Sequence, residues 1–271
     1  MSALRFTLIQ TDLAWEDKDA NLRMLEEKIR GLQEPTHIVV LPEMFPTGFS
    51  MKPEALAEKM DGKVVAWMKR ISAEKKIILT GSVIIEEEGH YYNRLIWMLP
   101  NGAYGTYDKR HLFAFAEEDH HYTGGHQRLI ASVNGWKINL MVCYDLRFPV
   151  WMRQAPQPAP EQPGATADLE YDVMICVANW PERRNTAWKT LLRARAIENQ
   201  SYVLGVNRVG KDGTGIYHSG DSMVIDPLGE ILYQKEHEED VFTISLEKQH
   251  LEEIRKKFQF WRDADQFQVL T

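Results

Sequence analysis

Three nearly continuous apolar runs, "HIVVLPE" at 37–43, "WKINLMVCYD" at 136–145 and "YDVMICVANW" at 171–180, constrain the fold of this chain most. Each is too short for a buried helix, and a strand apolar on both faces must be covered on both. Between them lie segments of helical spacing. "DANLRMLEEKIRGL" places Leu22, Leu25, Ile29 and Leu32 on one face, and "GKVVAWMKRISAEKK" and "AWKTLLRARAIENQ" repeat the pattern. "RFTLIQTDLAW" alternates like a half-buried strand, while "KIILTGSVII" and "SYVLGVNRV" read as further strands. "RLIWMLPNGAYGTYDK" and "SMVIDPLGEILYQ" read as hairpins about Pro-Asn-Gly and Asp-Pro-Leu-Gly, and "LEKQHLEEIRKKF" as a charged helix. Buried strands alternating with helices, interrupted by hairpins, predict an α/β fold with mixed sheets. A length of 271 residues suits one domain over 1–271. The Pro/Ala-rich stretch "QAPQPAPEQPGATA", 154–167, cannot be helix or central strand and is expected as a loop insertion, either a bare excursion or a border to a site.

A formal charge of −7 provides no basic field, so neither nucleic acid nor an anionic membrane surface is an expected partner. The broken apolar pattern of the first residues does not resemble a signal peptide, and no run approaches the roughly 20 apolar residues of a membrane helix. With two cysteines only, a disulfide framework is not expected, and the cytoplasm is the expected compartment. The expected partner is a small molecule.

Cys143 stands where "INLMV" stops, at the carboxyl end of a buried strand, the end at which open α/β sheets bind ligands. A thiol on such a turn suits a nucleophile, with the Tyr144 backbone N–H as oxyanion donor. Cys176, enclosed by apolar neighbours, reads as core. Glu43 follows "HIVVL" through Pro42 and can carry protons; Lys109 ends "AYGTYDK" and can stabilise negative charge. Each alone has a bland reading, as a packed thiol, a solvated carboxylate and a surface ammonium. Together, three strand ends can converge on one rim. His120, His121 and His126 form the one histidine cluster, and no metal site or other cofactor is expected from it.

The motifs "LPEMFPTGF", "YDKRHLF" and "CYDLRFP" resemble, in order and spacing, the Glu, Lys and Cys motifs of the nitrilase, or carbon-nitrogen hydrolase, superfamily. "KRHLF", "ANWP" at 178–181 and the "RARAIENQ" helix are most similar to its ω-amidase branch. That resemblance implies a four-layer αββα sandwich, a homodimer, and hydrolysis of the terminal amide of a small 2-oxo acid monoamide such as 2-oxoglutaramate or 2-oxosuccinamate. It also implies a second glutamate, for which Glu118 aligns best and Glu117 is the alternative. Arg147, Arg183 and Arg184 are candidates for the substrate carboxylate, although Arg147 is expected rather to brace its loop against Asp145 or Asp172. Phe49, Trp180 and Tyr217 are candidate walls. The stretch after "CYDLRFPVWMRQ" is longer than the family's usual pattern. Rival readings are another small amide, a nitrile or a carbamoyl amine as substrate, or a binding protein on this fold.

Overall fold

The computed structural model describes residues 3–154, 169–265 and 267–269. Apart from Gln154, the expected loop insertion lies outside the described residues.

The apolar runs become the centres of two mixed sheets. The first contains β1 (Ala3–Gln10), β2 (Ile38–Val40), β3 (Ile78–Glu87), β4 (His90–Met98), β5 (Tyr104–Asp108) and β13 (Asp240–Glu247), in the order β13-β1-β2-β3-β4-β5. The second contains β6 (Ile130–Val133), β7 (Trp136–Val142), β8 (Val173–Ala178), β9 (Tyr202–Asn207), β10 (Val209–Lys211) and β11 (Tyr217–Ile225), in the order β10-β11-β9-β8-β7-β6, with β12 (Ile231–Glu236) paired to β11. Each sheet has a parallel centre, β1, β2 and β3 in one and β7, β8 and β9 in the other, flanked by antiparallel strands.

Leu4, Phe6 and Leu8 of β1 share a core with Ile138, Leu140 and Ile175 of the second sheet. On the opposite face of the first sheet, Ile9, Val39, Leu79 and Ile96 pack on Leu22, Leu25 and Ile29 of the helix Lys18–Arg30. Val64, Met68 and Ile71 of the helix Lys63–Lys75 join the same cluster. Each such side chain, fully buried, contributes roughly 1.5–3 kcal/mol. Trp188, Leu192 and Ala196 of the helix Asn185–Asn199 and Leu251 of the helix Lys248–Lys257 belong to the core on the second sheet. The order helix, sheet, sheet, helix is the expected four-layer αββα sandwich.

Two departures have physical causes. β1 is not half-buried: Arg5 is its one exposed residue, because layers cover both faces and even Thr7 is enclosed, its hydroxyl 2.8 Å from that of Thr243. β13, in a charge-rich stretch, carries little apolar signal, yet it pairs with β1 along its whole length.

This topology brings the chemistry-bearing residues to strand ends. Glu43 lies just past β2, Lys109 follows β5, Cys143 follows β7 and Asn179 follows β8.

Candidate active site

Pro42 ends β2 and cannot donate to the ladder. Beyond it the chain turns through Met44 in the left-handed region (φ 42°), with the Met44 N–H donating to Ser82 Oγ at 2.7 Å and the Phe45 N–H to the Ser82 carbonyl at 3.2 Å. Gly48 completes the turn at φ 74°, where a Cβ would stand 3.0 Å from the Trp15 ring. The motif is therefore anchored to β3, and the Glu43 side chain is left wholly buried. Glu43 Oε1 accepts from Asn93 Nδ2 at 2.8 Å and Lys109 Nζ at 2.9 Å, and Oε2 accepts from the Asn179 N–H at 2.8 Å.

Lys109 is fixed by its main chain, its N–H donating to the Asn93 carbonyl and its carbonyl accepting from Gly125, both at 3.0 Å. Its ammonium, fully buried, meets Glu43 and also Glu118, at 3.0 Å to Oε1 and 2.9 Å to Oε2. Burial opposes the ammonium, but Glu118 and then Glu43 more than offset this and hold Lys109 well above the ordinary lysine range. Its three N–H donors face three carboxylate oxygens, so one reaches a substrate oxygen when the second contact to Glu118 is given up. The Phe49 ring lies 5.0 Å from Nζ.

The choice between neighbouring glutamates falls to Glu118. It is buried on the helical turn Glu118–His121 and also accepts from the Phe113 N–H at 2.6 Å, whereas Glu117, in the left-handed region, is exposed. Burial pushes the Glu118 carboxyl up, Lys109 pulls it back, and Glu43 adds to the rise.

Cys143 itself adopts φ 45° at the junction of β7 and the short 3₁₀ helix Cys143–Arg147, a conformation that costs a non-glycine residue roughly 1–3 kcal/mol. The half-buried thiol shares a cavity with the Glu43 carboxylate. Burial and then the charge of Glu43 push the thiol well above its ordinary range, while Lys109 pulls it down. Cys143 therefore rests as a protonated thiol. Tyr144 is in the first turn of the 3₁₀ helix, where backbone N–H groups are not consumed by helical bonds.

Asp145 ties the lysine and cysteine motifs together. Its Oδ2 accepts from the Tyr107 hydroxyl at 2.7 Å and the Val142 N–H at 3.1 Å; its Oδ1 accepts from the His111 N–H at 3.0 Å and lies 2.8 Å from His111 Nδ1. The bracing role expected of Arg147 is thus filled by other residues, and Asp172 is likewise engaged by Lys248 and Arg255. Arg147 instead lies with its guanidinium 4.9 Å from the Trp180 ring, on the wall of a cavity of about 270 Å³ that also receives Cys143, Glu43 and Lys109. Arg183 and Arg184 line the same cavity, and among the described residues no carboxylate pairs with any of the three arginines. Burial, then Arg183, hold the Arg184 guanidinium below its usual range, with Arg147 adding to the effect.

Phe49, Tyr144 and Trp180 line the cavity, but Tyr217 does not. Side chains alternate along β11, so Ile216 and His218 face the cavity while the Tyr217 hydroxyl turns to His237 Nδ1 at 2.9 Å. His218 is nearly fully buried; burial and then Arg208 push it down to about 4, so it is neutral at pH 7. Cys176 is fully buried one strand over, its thiol 4.0 Å from the Cys143 carbonyl, and burial raises it far out of the reactive range. Among the described residues no group of three His, Cys, Asp or Glu is placed to hold a metal ion.

Sequence reasoning missed Asn93, Asn179 and His218, and named Asp145 only as a brace for Arg147. Asn179 was accessible by the rule that pointed to Cys143, since it too follows a buried parallel strand. Asn93, a carboxamide within the strand "YYNRLIWM", gave a weaker sign.

The chain matches the sequence profile of the family described as carbon-nitrogen hydrolase over residues 5–256. It is 42% identical over 270 residues to the omega-amidase YafV of Escherichia coli, covering 99% of this chain and 100% of that one. It is 28% identical to the 2-oxoglutaramate amidase of Bacillus subtilis, covering 94% and 95% of the two chains. Its structure superposes with a TM-score of 0.94 on that of XC1258 from Xanthomonas campestris, a CN-hydrolase superfamily protein with an arsenic adduct in its active site. That pair is 42% identical, with 99% and 100% of the two chains covered.

Proposed function

Because this chain belongs to the carbon-nitrogen hydrolase family, we propose that it is an ω-amidase that releases ammonia from the terminal amide of a small 2-oxo dicarboxylic acid monoamide, with Cys143 as nucleophile. The observation that carries the reading is one cavity lined by the Cys143 thiol, the buried Glu43 carboxylate and three arginines that no carboxylate pairs with among the described residues. A cavity of about 270 Å³ is just under the usual size of ligand sites and suits a substrate of four or five carbons. Arginine forks match a carboxylate in plane and charge, so Arg147, Arg183 and Arg184 would hold the far end of the substrate and present its amide to Cys143.

In the first half-reaction Cys143 Sγ attacks the amide carbon as Glu43 accepts the thiol proton. The carbonyl oxygen gains negative charge and takes hydrogen bonds from Lys109 Nζ and the Tyr144 N–H. The tetrahedral adduct collapses as Glu43 returns that proton to the nitrogen, the C–N bond breaks, and ammonia leaves a thioester. Water then attacks the thioester carbon, giving its proton to Glu43. Collapse of the second adduct breaks the C–S bond, and the thiol recovers the proton as the acid departs. Glu118 keeps Lys109 charged and in place. The sum is amide plus water giving acid plus ammonia.

Partner and compartment follow from weaker support. A homodimer is favoured by the exposed apolar Ile197, Leu228 and Ile231, the first of which lies against the turn at Gly229. Two free thiols favour the reducing cytoplasm. No helix of the described residues is long and apolar enough to cross a membrane.

The substrate reading is tested by ammonia release from 2-oxoglutaramate, 2-oxosuccinamate, glutamine, asparagine, a nitrile and a carbamoyl amine. The expected result is a preference of at least a hundredfold in kcat/KM for the 2-oxo acids. Equal or better turnover of a nitrile or a carbamoyl amine would remove the ω-amidase assignment while leaving the thioester chemistry intact.

A further inference from the structure

We propose that Asn93 is a positioning residue that holds Glu43 and Lys109 in their reacting arrangement by sharing one amide group between Glu43 and Glu118. The proposal rests on Glu43 being the proton carrier.

Three charged groups, Glu43, Glu118 and Lys109, are packed together without solvent exposure, and one ammonium faces two carboxylates. The excess negative charge is met by neutral donors, namely Asn93 Nδ2, the Asn179 N–H and the Phe113 N–H. Of these, Asn93 alone serves both carboxylates, donating to Glu43 Oε1 at 2.8 Å and to Glu118 Oε1 at 3.3 Å. Turning its amide over would set an oxygen against two carboxylates, so the orientation is fixed by charge. The fold accepts a cost for this: Asn93 Oδ1 is buried and has no hydrogen-bond partner among the described residues. The same residue also holds Lys109, whose N–H donates to the Asn93 carbonyl. One β4 residue thereby sets the spacing of all three charged groups.

The consequence is for the rate and not for binding. Asn93 does not line the cavity, so loss of its amide leaves the substrate contacts in place and loosens the carboxylate that must meet the thiol proton.

The test is kcat and KM for ammonia release by wild type, Asn93→Ala, Asn93→Asp and Cys143→Ala, with melting curves for each. Asn93→Ala is expected to lose roughly ten- to a hundredfold in kcat, the scale of one hydrogen bond to a charged group, while KM stays within about twofold. Asn93→Asp keeps the shape but loses the donor, so its kcat should fall at least as far. A variant that melts like wild type and keeps the wild-type kcat, or whose loss lies in KM, overturns the proposal. Should Asn93→Ala not fold, Asn93→Asp decides alone. Cys143→Ala separates the two levels: activity remaining in that variant would refute the underlying mechanism rather than the role of Asn93.

Discussion

Lys109→Ala is expected to lower kcat for amide hydrolysis by roughly 10²–10³, the loss typical of one oxyanion donor, and also to weaken the fold. From sequence alone a strand-end ammonium would be dispensable to folding. Its burial between two enclosed carboxylates says otherwise. Breaking a buried pair from one side costs about 3–5 kcal/mol, because charges are left behind without a partner. In the variant, Glu118, already raised by burial and by Glu43, loses the cation that pulls it back, so its affinity for a proton rises further in the folded state. A group raised in this way contributes stability below its unfolded value, and that contribution is lost as pH rises through the folded value. The deficit in melting temperature relative to wild type should therefore be on the order of 10 °C at pH 8 and shrink toward pH 5. A variant as stable as wild type at pH 8, with near-normal turnover, would remove Lys109 from both roles.

Glu43→Gln should cost roughly 10²–10⁴ in ammonia release, the range for a positioned general acid and base. Its effect on the thiol has the opposite sense. After burial, the charge of Glu43 is the largest influence raising Cys143, while Lys109 lowers it. Neutralising Glu43 should therefore let the thiol ionise at lower pH. Alkylation by iodoacetamide should begin at lower pH in the variant even as turnover collapses. Alkylation shifting to higher pH, or turnover surviving, would show that the carboxylate is not the proton acceptor.

The fold and the three motif residues were legible for related reasons. Apolar runs such as "HIVVL" and "INLMV" must be covered on both faces, which calls for a layered α/β arrangement. Function at the carboxyl ends of such strands then singles out Glu43 and Cys143. Other features depend on partners distant in sequence. β13 is a strand because β1 needs a neighbour, and Arg147 reaches the cavity because Tyr107 and His111 already occupy Asp145. Asn93 could not be ranked from its own surroundings, since its importance comes from two carboxylates lying 50 and 25 residues away. Tyr217 was misplaced by one position along a strand, where a shift of one exchanges the two faces.

In the proposed mechanism hydrolysis runs through Cys143 and no other thiol. The decisive experiment is ammonia release from 2-oxoglutaramate by wild type, Cys143→Ala and Cys176→Ala, each checked for a native melting transition. No release above background is expected from Cys143→Ala, and most of the wild-type rate from Cys176→Ala. A folded Cys143→Ala enzyme that still turns over, or an inactive but folded Cys176→Ala, would contradict it.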